Sequence, residues 1–309
     1  MDRPTIAVIG GGLMGTGIAQ VFAAAGYRVR IQEPIAAVRE TVMDRLRTGL
    51  MQLGDDEAHV AQVSVHARLA EAVHAADVVF EAAPEKLALK RTIFAALEHD
   101  APRHAILASN TSVMPIGSIV AGLSTQERMI GTHWWNPPTL IPLVEVIQAS
   151  NTSDAAVVTM MALLHDVGKK PAHVRKDVAG FVANRLQHAL WREAVAMVAD
   201  GICDAATVDD CVKHSFGLRL PVLGPLENAD LVGLDLTRDI HRTILPTLNR
   251  DTAPSPILDA LIAAGRLGFK SGCGFRDWSD ADQAALRTRL VDHLRDARPH
   301  ASRLAGEPS

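Results

Sequence analysis

His133 closes an apolar run that begins near Arg128, and Glu145 sits inside another, Leu143-Val144-Glu145-Val146-Ile147, where it alternates with Leu143 and Ile147. A carboxylate among such neighbours is costly to bury unless it is paired, and an imidazole is the obvious partner. A histidine held by a carboxylate is a base suited to neutral pH: it can take the proton of a hydroxyl while hydride leaves the carbon that carries it. A polar pocket closed by an ordinary buried ion pair accounts for the same two residues without chemistry. What separates the two readings is whether a hydride acceptor binds in the same domain.

Residues 5–33 supply the answer, running through a strand, a glycine turn, an apolar helix, a second strand and an acid in one piece. Ile6 to Ile9 suit a buried parallel strand. Gly10-x-Gly12-x-x-Gly15 then turns the chain so tightly that larger side chains would block a pyrophosphate. The free amides of the following helix face that phosphate, helped by the helix dipole, so Gly10, Gly12, Leu13, Met14 and Gly15 are the expected contacts. Val29 to Ile31 form the next strand. Glu33, eighteen residues after Gly15, is spaced to accept from the adenosine ribose hydroxyls and to repel a 2′-phosphate. The expected cofactor is NAD and not NADP. A glycine turn alone is a common structural loop; the flanking strands and the acid make this one a dinucleotide site, and the His133/Glu145 pair then reads as catalytic.

The elements that must position these groups follow from hydrophobic patterning. Up to about residue 175, strand-like runs (Asp77 to Glu81, Ala105 to Ala108, Arg128 to Thr132, Leu143 to Ile147 and a short one at Ala172 to Arg175) alternate with longer helical stretches, which implies a doubly wound α/β sheet. Between Glu33 and Asp77 the pattern is helical, with Val38, Val42, Leu46 and Leu50 four apart, so one long helix or a helical pair is expected there. From Phe181 to Ala199 the chain is helical and apolar on most of its circumference. Such a helix must be buried in a helical domain or against a second subunit, and a two-fold homodimer is expected. Further helical stretches at Thr207 to Ser215, Leu231 to Leu245, Ile257 to Ala264 and Asp280 to Leu294 complete a smaller all-α domain. The expected organisation is a Rossmann-type domain over residues 1–177 and a helical domain over 178–309, with disorder only after Arg298.

Composition narrows the partners. With 309 residues, 48% of them apolar, the chain can fill a sizeable core. A net charge of −4 and 4% aromatics give neither the basic stripe nor the stacking platforms of a nucleic-acid binder. Cys203, Cys211 and Cys273 are odd in number and lack paired spacing, so neither a disulfide framework nor a metal site is expected. That cysteine usage fits a reducing cytoplasm; the apolar stretch Ile6 to Ala25 is broken by glycines and has no basic flank or cleavage site, which argues against a membrane span or signal peptide.

Two further segments carry polar residues that a fold alone does not require: Ala108-Ser109-Asn110-Thr111-Ser112, directly after a strand, and Gly131-Thr132-His133-Trp134-Trp135-Asn136-Pro137-Pro138. Together with Gly10 to Gly15, Glu81-Ala82-Ala83-Pro84-Glu85, Leu143 to Val146, Gly180-Phe181-Val182-Ala183-Asn184-Arg185 and Lys270-Ser271-Gly272-Cys273-Gly274-Phe275, they make the chain resemble the L-3-hydroxyacyl-CoA dehydrogenase family over almost its whole length. The resemblance implies a Rossmann domain, a helical dimerisation domain and NAD-dependent oxidation of the hydroxyl of an L-3-hydroxyacyl-CoA to the 3-ketoacyl-CoA. It implies that His133 is the general base with Glu145 as its electrostatic partner, and that Ser112 and Asn184 hydrogen-bond the substrate oxygen or orient the histidine. Glu85, Lys90 and Asn136 match positions that line the ribose and nicotinamide, and Lys270 matches a cofactor-contacting lysine of the second domain. Lys90 and Lys270 are also readable as ordinary solvated lysines, and Asn184 as a helix-start residue.

The pattern departs from acyl-CoA members in one region. No lysine precedes Lys86, and residues 39–71 carry Arg39, Arg45, Arg47 and Arg68 against Glu40, Asp44, Asp55, Asp56, Glu57 and Glu71, so the stretch that would meet the CoA phosphates is net acidic. Pro142 stands where acyl-CoA members usually carry lysine. These features resemble relatives that oxidise free hydroxy acids or aromatic carboxylates, such as gulonate dehydrogenase (lambda-crystallin, which also represents a non-enzymatic NAD-binding alternative) and a pyridine-carboxylate dehydrogenase. The Lys270 to Phe275 ending resembles the acyl-CoA members, and the acyl-CoA substrate is the leading expectation.

Overall fold

The computed structural model describes residues 3–304. Among them, eight strands form one sheet in the order β3-β2-β1-β4-β5-β6-β7-β8. These are β1 (Ile6–Ile9), β2 (Val29–Gln32), β3 (Val63–His66), β4 (Val78–Glu81), β5 (Ile106–Ser109), β6 (Met129–Trp134), β7 (Leu143–Ile147) and β8 (Lys170–Val174). All neighbours pair in parallel except β6 and β7. Residues of β1, β4, β5 and β6 are buried throughout, because helices cover both faces of a parallel sheet and leave no solvent side for alternation to mark. On one face α1 (Leu13–Ala24), α3 (Val42–Leu53) and α7 (Asp154–Asp166) pack Phe22, Leu46, Leu50, Met160 and Leu164 onto Val8, Phe80 and Trp134. On the other, α4 (Leu69–Val73), α5 (Leu87–Asp100) and α6 (Ile116–Ile119) bring Val73, Phe94, Leu97 and Ile116 onto Ile9, Val79, Leu107 and Met129.

The region between Glu33 and Asp77 corrects the helical expectation. A short helix α2 (Ala36–Arg39) and α3 are followed by a turn of 3₁₀ helix and then by β3, before α4. β3 is the sheet's edge and pairs only with β2. Its four residues, Val-Ser-Val-His, offer two apolar side chains to one face, too short an alternation to stand out beside the four-residue spacing of α3.

The chain divides into two compact units. One runs through Asn184 and takes in the chain again from Asp292; the other is Arg185–Val291. The second is helical: most of α8 (Ala183–Ala199), then α9 (Ala205–Lys213), α10 (Pro225–Val232), α11 (Leu234–Ile244), α12 (Pro256–Ala263) and the first part of α13 (Asp280–Leu304). Leu186, Leu190 and Trp191 on α8 and Leu226, Leu231, Leu234 and Leu236 on α10 and α11 are exposed, Leu226 at 80%. The expectation of disorder after Arg298 is corrected as far as Leu304, where α13 ends; its remainder falls outside the described residues.

Candidate active site

The glycine turn leaves β1 at Gly10, whose φ of +103° suits glycine. A Cβ there would lie 2.8 Å from the Ala82 carbonyl oxygen, and one on Gly15 only 1.8 Å from the Gly10 oxygen, whereas at Gly12 nothing lies within 4 Å. The turn is thus packed from behind and open above Gly12, as a pyrophosphate cradle requires. Leu13 at its lip is exposed and Met14 half-buried. Glu33, buried just beyond β2, accepts the Gly11 amide at 2.8 Å on Oε2 and the Ile35 amide at 2.9 Å on Oε1. A carboxylate offers about four lone-pair sites, so both oxygens retain accepting capacity for ribose hydroxyls. These residues fit a dinucleotide.

The same turn is gripped by a residue that spacing did not reveal. Arg45, on α3, donates to the Gly11 carbonyl at 2.6 Å, to Thr16 Oγ1 at 3.0 Å and to Thr41 Oγ1 at 3.2 Å. The Gly11 peptide is therefore held at its N–H by Glu33 and at its C=O by Arg45. The helical stripe Val42, Leu46, Leu50 marks the buried face of α3; Arg45 flanks it, and no local signal ties it to a turn 34 residues away.

His133 and Glu145 are register partners across β6 and β7. His133 Nδ1 donates to Glu145 Oε2 at 2.8 Å, with both side chains buried. That bond assigns the proton to Nδ1 and leaves the Nε2 lone pair to act as base. Glu145 Oε1 accepts the backbone amides of Val182 at 2.8 Å and Ala183 at 3.0 Å, where α8 begins. Burial pushes the Glu145 carboxyl up, but the His133 hydrogen bond and the two amides outweigh it and hold the group below the ordinary carboxylate range. Phe181 has a φ of +49°, which strains a bulky residue. Its ring is buried 5.7 Å from the imidazole, and Trp135 flanks the imidazole at 5.1 Å. The strained turn at Phe181 lets the next two amides reach Glu145.

The loop after β5 carries Ser112, whose side chain is exposed. Asn184, buried at the start of α8, donates through Nδ2 to the Ser112 carbonyl at 2.9 Å. Glu85 Oε1 accepts the Ser112 amide at 3.0 Å, the Thr111 hydroxyl and the Val113 amide. Burial raises the Glu85 carboxyl, and the Thr111 hydroxyl, the Lys90 charge and the two amides together bring it below its ordinary range. Lys90 is not the solvated lysine of one reading. It is wholly buried, donating to both oxygens of Glu81 at 2.8 and 3.0 Å and lying 3.4 Å from Glu85 Oε2. Glu81, which sequence reasoning passed over as part of a motif, is equally buried. Asn136 is exposed and precedes a cis proline, Pro137. Lys270 belongs to the second unit and is exposed there.

All four arginines of the acidic stretch have partners in the chain, Arg47 and Arg68 at the exposed surface. Arg39 donates to the Glu33 and Pro34 carbonyls, Arg45 holds the glycine turn, Arg47 pairs with Asp44 at 2.8 Å and Arg68 with Glu71 at 2.6 Å.

Comparison with known proteins places this geometry. Residues 5–178 match the NAD-binding domain of 3-hydroxyacyl-CoA dehydrogenase, and residues 180–278 match the C-terminal domain of the same family. The chain is 40% identical to L-carnitine dehydrogenase of Streptomyces griseus over 95% of its own length and 90% of that protein's. It is 36% identical to a probable 3-hydroxybutyryl-CoA dehydrogenase of Bacillus subtilis, covering 91% and 99% of the two chains. Among solved structures, 5-formyl-3-hydroxy-2-methylpyridine 4-carboxylic acid 5-dehydrogenase, described as an NAD⁺-dependent dismutase, superposes with a TM-score of 0.90 at 33% identity over all of both chains. The chain belongs to the 3-hydroxyacyl-CoA dehydrogenase family, whose members are NAD-dependent oxidoreductases acting on a CH–OH group.

Proposed function

We propose that this enzyme oxidises the secondary or benzylic-type hydroxyl of a small free acid, and that its substrate carries no CoA. The observation that supports this is a net acidic stretch without lysine in which Arg39, Arg45, Arg47 and Arg68 each already have a partner in the chain, the last two as exposed pairs with Asp44 and Glu71. CoA brings phosphates whose recognition calls for cations with free donors. L-carnitine and the pyridine carboxylate named for two of the relatives above are carboxylates without CoA. The acyl-CoA reading is the second candidate, favoured by the Bacillus subtilis relative's name.

In either case the chemistry is the same. NAD⁺, when bound on the Gly10 to Gly15 turn with its adenosine ribose at Glu33, supplies the hydride acceptor. His133 Nε2 takes the hydroxyl proton, and the Glu145 carboxylate stabilises the imidazolium that results. Ser112 offers its hydroxyl to the reacting oxygen, and Asn184 fixes the loop that carries Ser112. The enzyme works as a homodimer in which the exposed apolar faces of α8, α10 and α11 are covered by a second copy, in a cytoplasmic setting.

A screen for NADH formation with 3-hydroxybutyryl-CoA, free 3-hydroxybutyrate, L-carnitine, gulonate and hydroxymethyl aromatic acids tests the proposal. A free acid should give the highest kcat/KM. A thioester preferred by tenfold or more over every free acid, about 1.4 kcal/mol of transition-state discrimination, would overturn it.

A further inference from the structure

We infer that Gly17 and Lys169 are positioning residues: between them they seat residues 135–142, the turn that joins β6 to β7, against α1, and so fix His133 relative to the glycine turn. The inference rests on the reading that His133 is the base.

The turn is short of donors of its own. Pro137, Pro138 and Pro142 have no N–H to give, and the Leu140 and Ile141 amides both go to the Pro137 carbonyl, at 3.1 and 3.0 Å. The Pro138 and Ile141 carbonyls are met instead by one ammonium, that of Lys169 just before β8, which donates to Pro138 and, at 3.0 Å, to Ile141. Lys169 is 7% exposed, and its Nζ lies 5.5 Å from the centre of the Trp134 ring. It thus touches the residue next to His133 and two carbonyls of the turn beyond. From the other side the turn rests on α1. Pro138 is buried, and a Cβ built on Gly17 would lie 3.0 Å from its Cγ and Cδ. Glycine inside a helix weakens the helix; at position 17 it makes room for a proline ring.

The contact matters because two groups that must face one bound cofactor stand on different elements. The glycine turn leads from β1 into α1, His133 is on β6, and β4 and β5 lie between those strands, a separation of roughly 14 Å at about 4.8 Å per strand. Pro138 against Gly17 is a direct contact between the helix that opens at the glycine turn and the chain that leaves His133. Displacing Pro138 therefore pulls on the end of β6. Proton removal coupled to hydride transfer tolerates little of this: a displacement of about 1 Å is enough to lower a rate roughly a hundredfold.

The test uses the full chain and the variants Gly17→Ala, Pro138→Ala, the two together, and Lys169→Met. Gly17→Ala separates seating from stability, because alanine favours the helix while its methyl presses on Pro138. It should melt no lower than wild type, bind ADP-ribose (measured by competition with NADH fluorescence) within about twofold of wild type, and yet lose about three- to thirtyfold in kcat with the best wild-type substrate. Adding Pro138→Ala should bring kcat back to within about threefold of Pro138→Ala alone, which a general weakening of the fold would not do. Lys169→Met should exchange the Thr139, Leu140 and Ile141 amides roughly tenfold faster or more and lose about ten- to a hundredfold in kcat; if it fails to fold, the Gly17 arm decides. Wild-type kcat in Gly17→Ala would overturn the inference, as would a loss that Pro138→Ala does not rescue, or one matched by an equal loss of ADP-ribose affinity, which marks a disturbed pyrophosphate turn. Faster exchange in Lys169→Met while His133→Ala keeps wild-type turnover would instead uphold the seat and overturn the role given to His133.

Discussion

His133 and Glu145 stand directly opposite one another on the antiparallel pair β6 and β7, and the carboxylate that holds the imidazole with one oxygen holds the start of α8 with the other. The imidazole is therefore oriented by the same carboxylate that holds the Val182 and Ala183 amides.

If His133 takes the hydroxyl proton, His133→Ala should lower kcat by about two to four orders of magnitude, the usual worth of a positioned general base. NADH affinity, measured by fluorescence titration, should survive. Near-normal turnover with any wild-type substrate would remove His133 from the mechanism.

Glu145→Gln keeps the shape of the partner and removes its charge, so kcat should fall by roughly ten- to a thousandfold as the imidazolium loses stabilisation. The substitution also alters acid stability. The folded carboxyl titrates below its ordinary value of 4.5, so the stability it contributes is fully present above that value and is lost as pH falls through the lower, folded one. Unfolding curves between neutral pH and that window should lose less stability on acidification in Glu145→Gln than in wild type. Equal losses would show that Glu145 is not favoured in its charged form by the fold.

Glu33 beside the Gly11 amide should favour NAD over NADP by on the order of 10- to 1,000-fold in kcat/KM, because a 2′-phosphate would meet a buried carboxylate. Equal use of the two cofactors would contradict the assignment.

Arg45→Met should release the Gly11 carbonyl and remove a positive charge from beside the glycine turn. NADH should bind about tenfold more weakly, with kcat at saturating cofactor changed by less than about threefold, since the loss is of uniform binding. An unchanged dissociation constant would reduce Arg45 to an ordinary surface contact.

The apolar faces of α8, α10 and α11 should be covered in solution. Light scattering at micromolar concentration should give twice the 33.1 kDa chain mass, and Leu226→Lys together with Leu231→Lys should shift the equilibrium toward monomer. A wild-type monomer would contradict the dimer.

The sequence by itself determined what is local. The glycine turn, the apolar strands and Glu33 follow one another within a few tens of residues, so residue type and spacing expressed their roles before any contact was known. The alternation of β and α stretches likewise implied the doubly wound sheet, because each buried strand reads as a short continuous apolar run. The His133/Glu145 pairing was legible for a related reason: a carboxylate in an apolar strand demands a partner, and the adjacent strand carried one candidate.

Tertiary structure decided everything that depends on which remote segments meet. β3 escaped notice because an edge strand of four residues buries too little to leave a pattern. Lys90 is readable from the sequence as a solvated lysine, and only the packing of α5 over the ends of β4 and β5 encloses it between two carboxylates. Arg45 reaches the glycine turn only because α3 folds back across the start of α1. A charged side chain carries no periodic signal of its destination; its partner is set by strand order and helix packing, and those are properties of the assembled sheet.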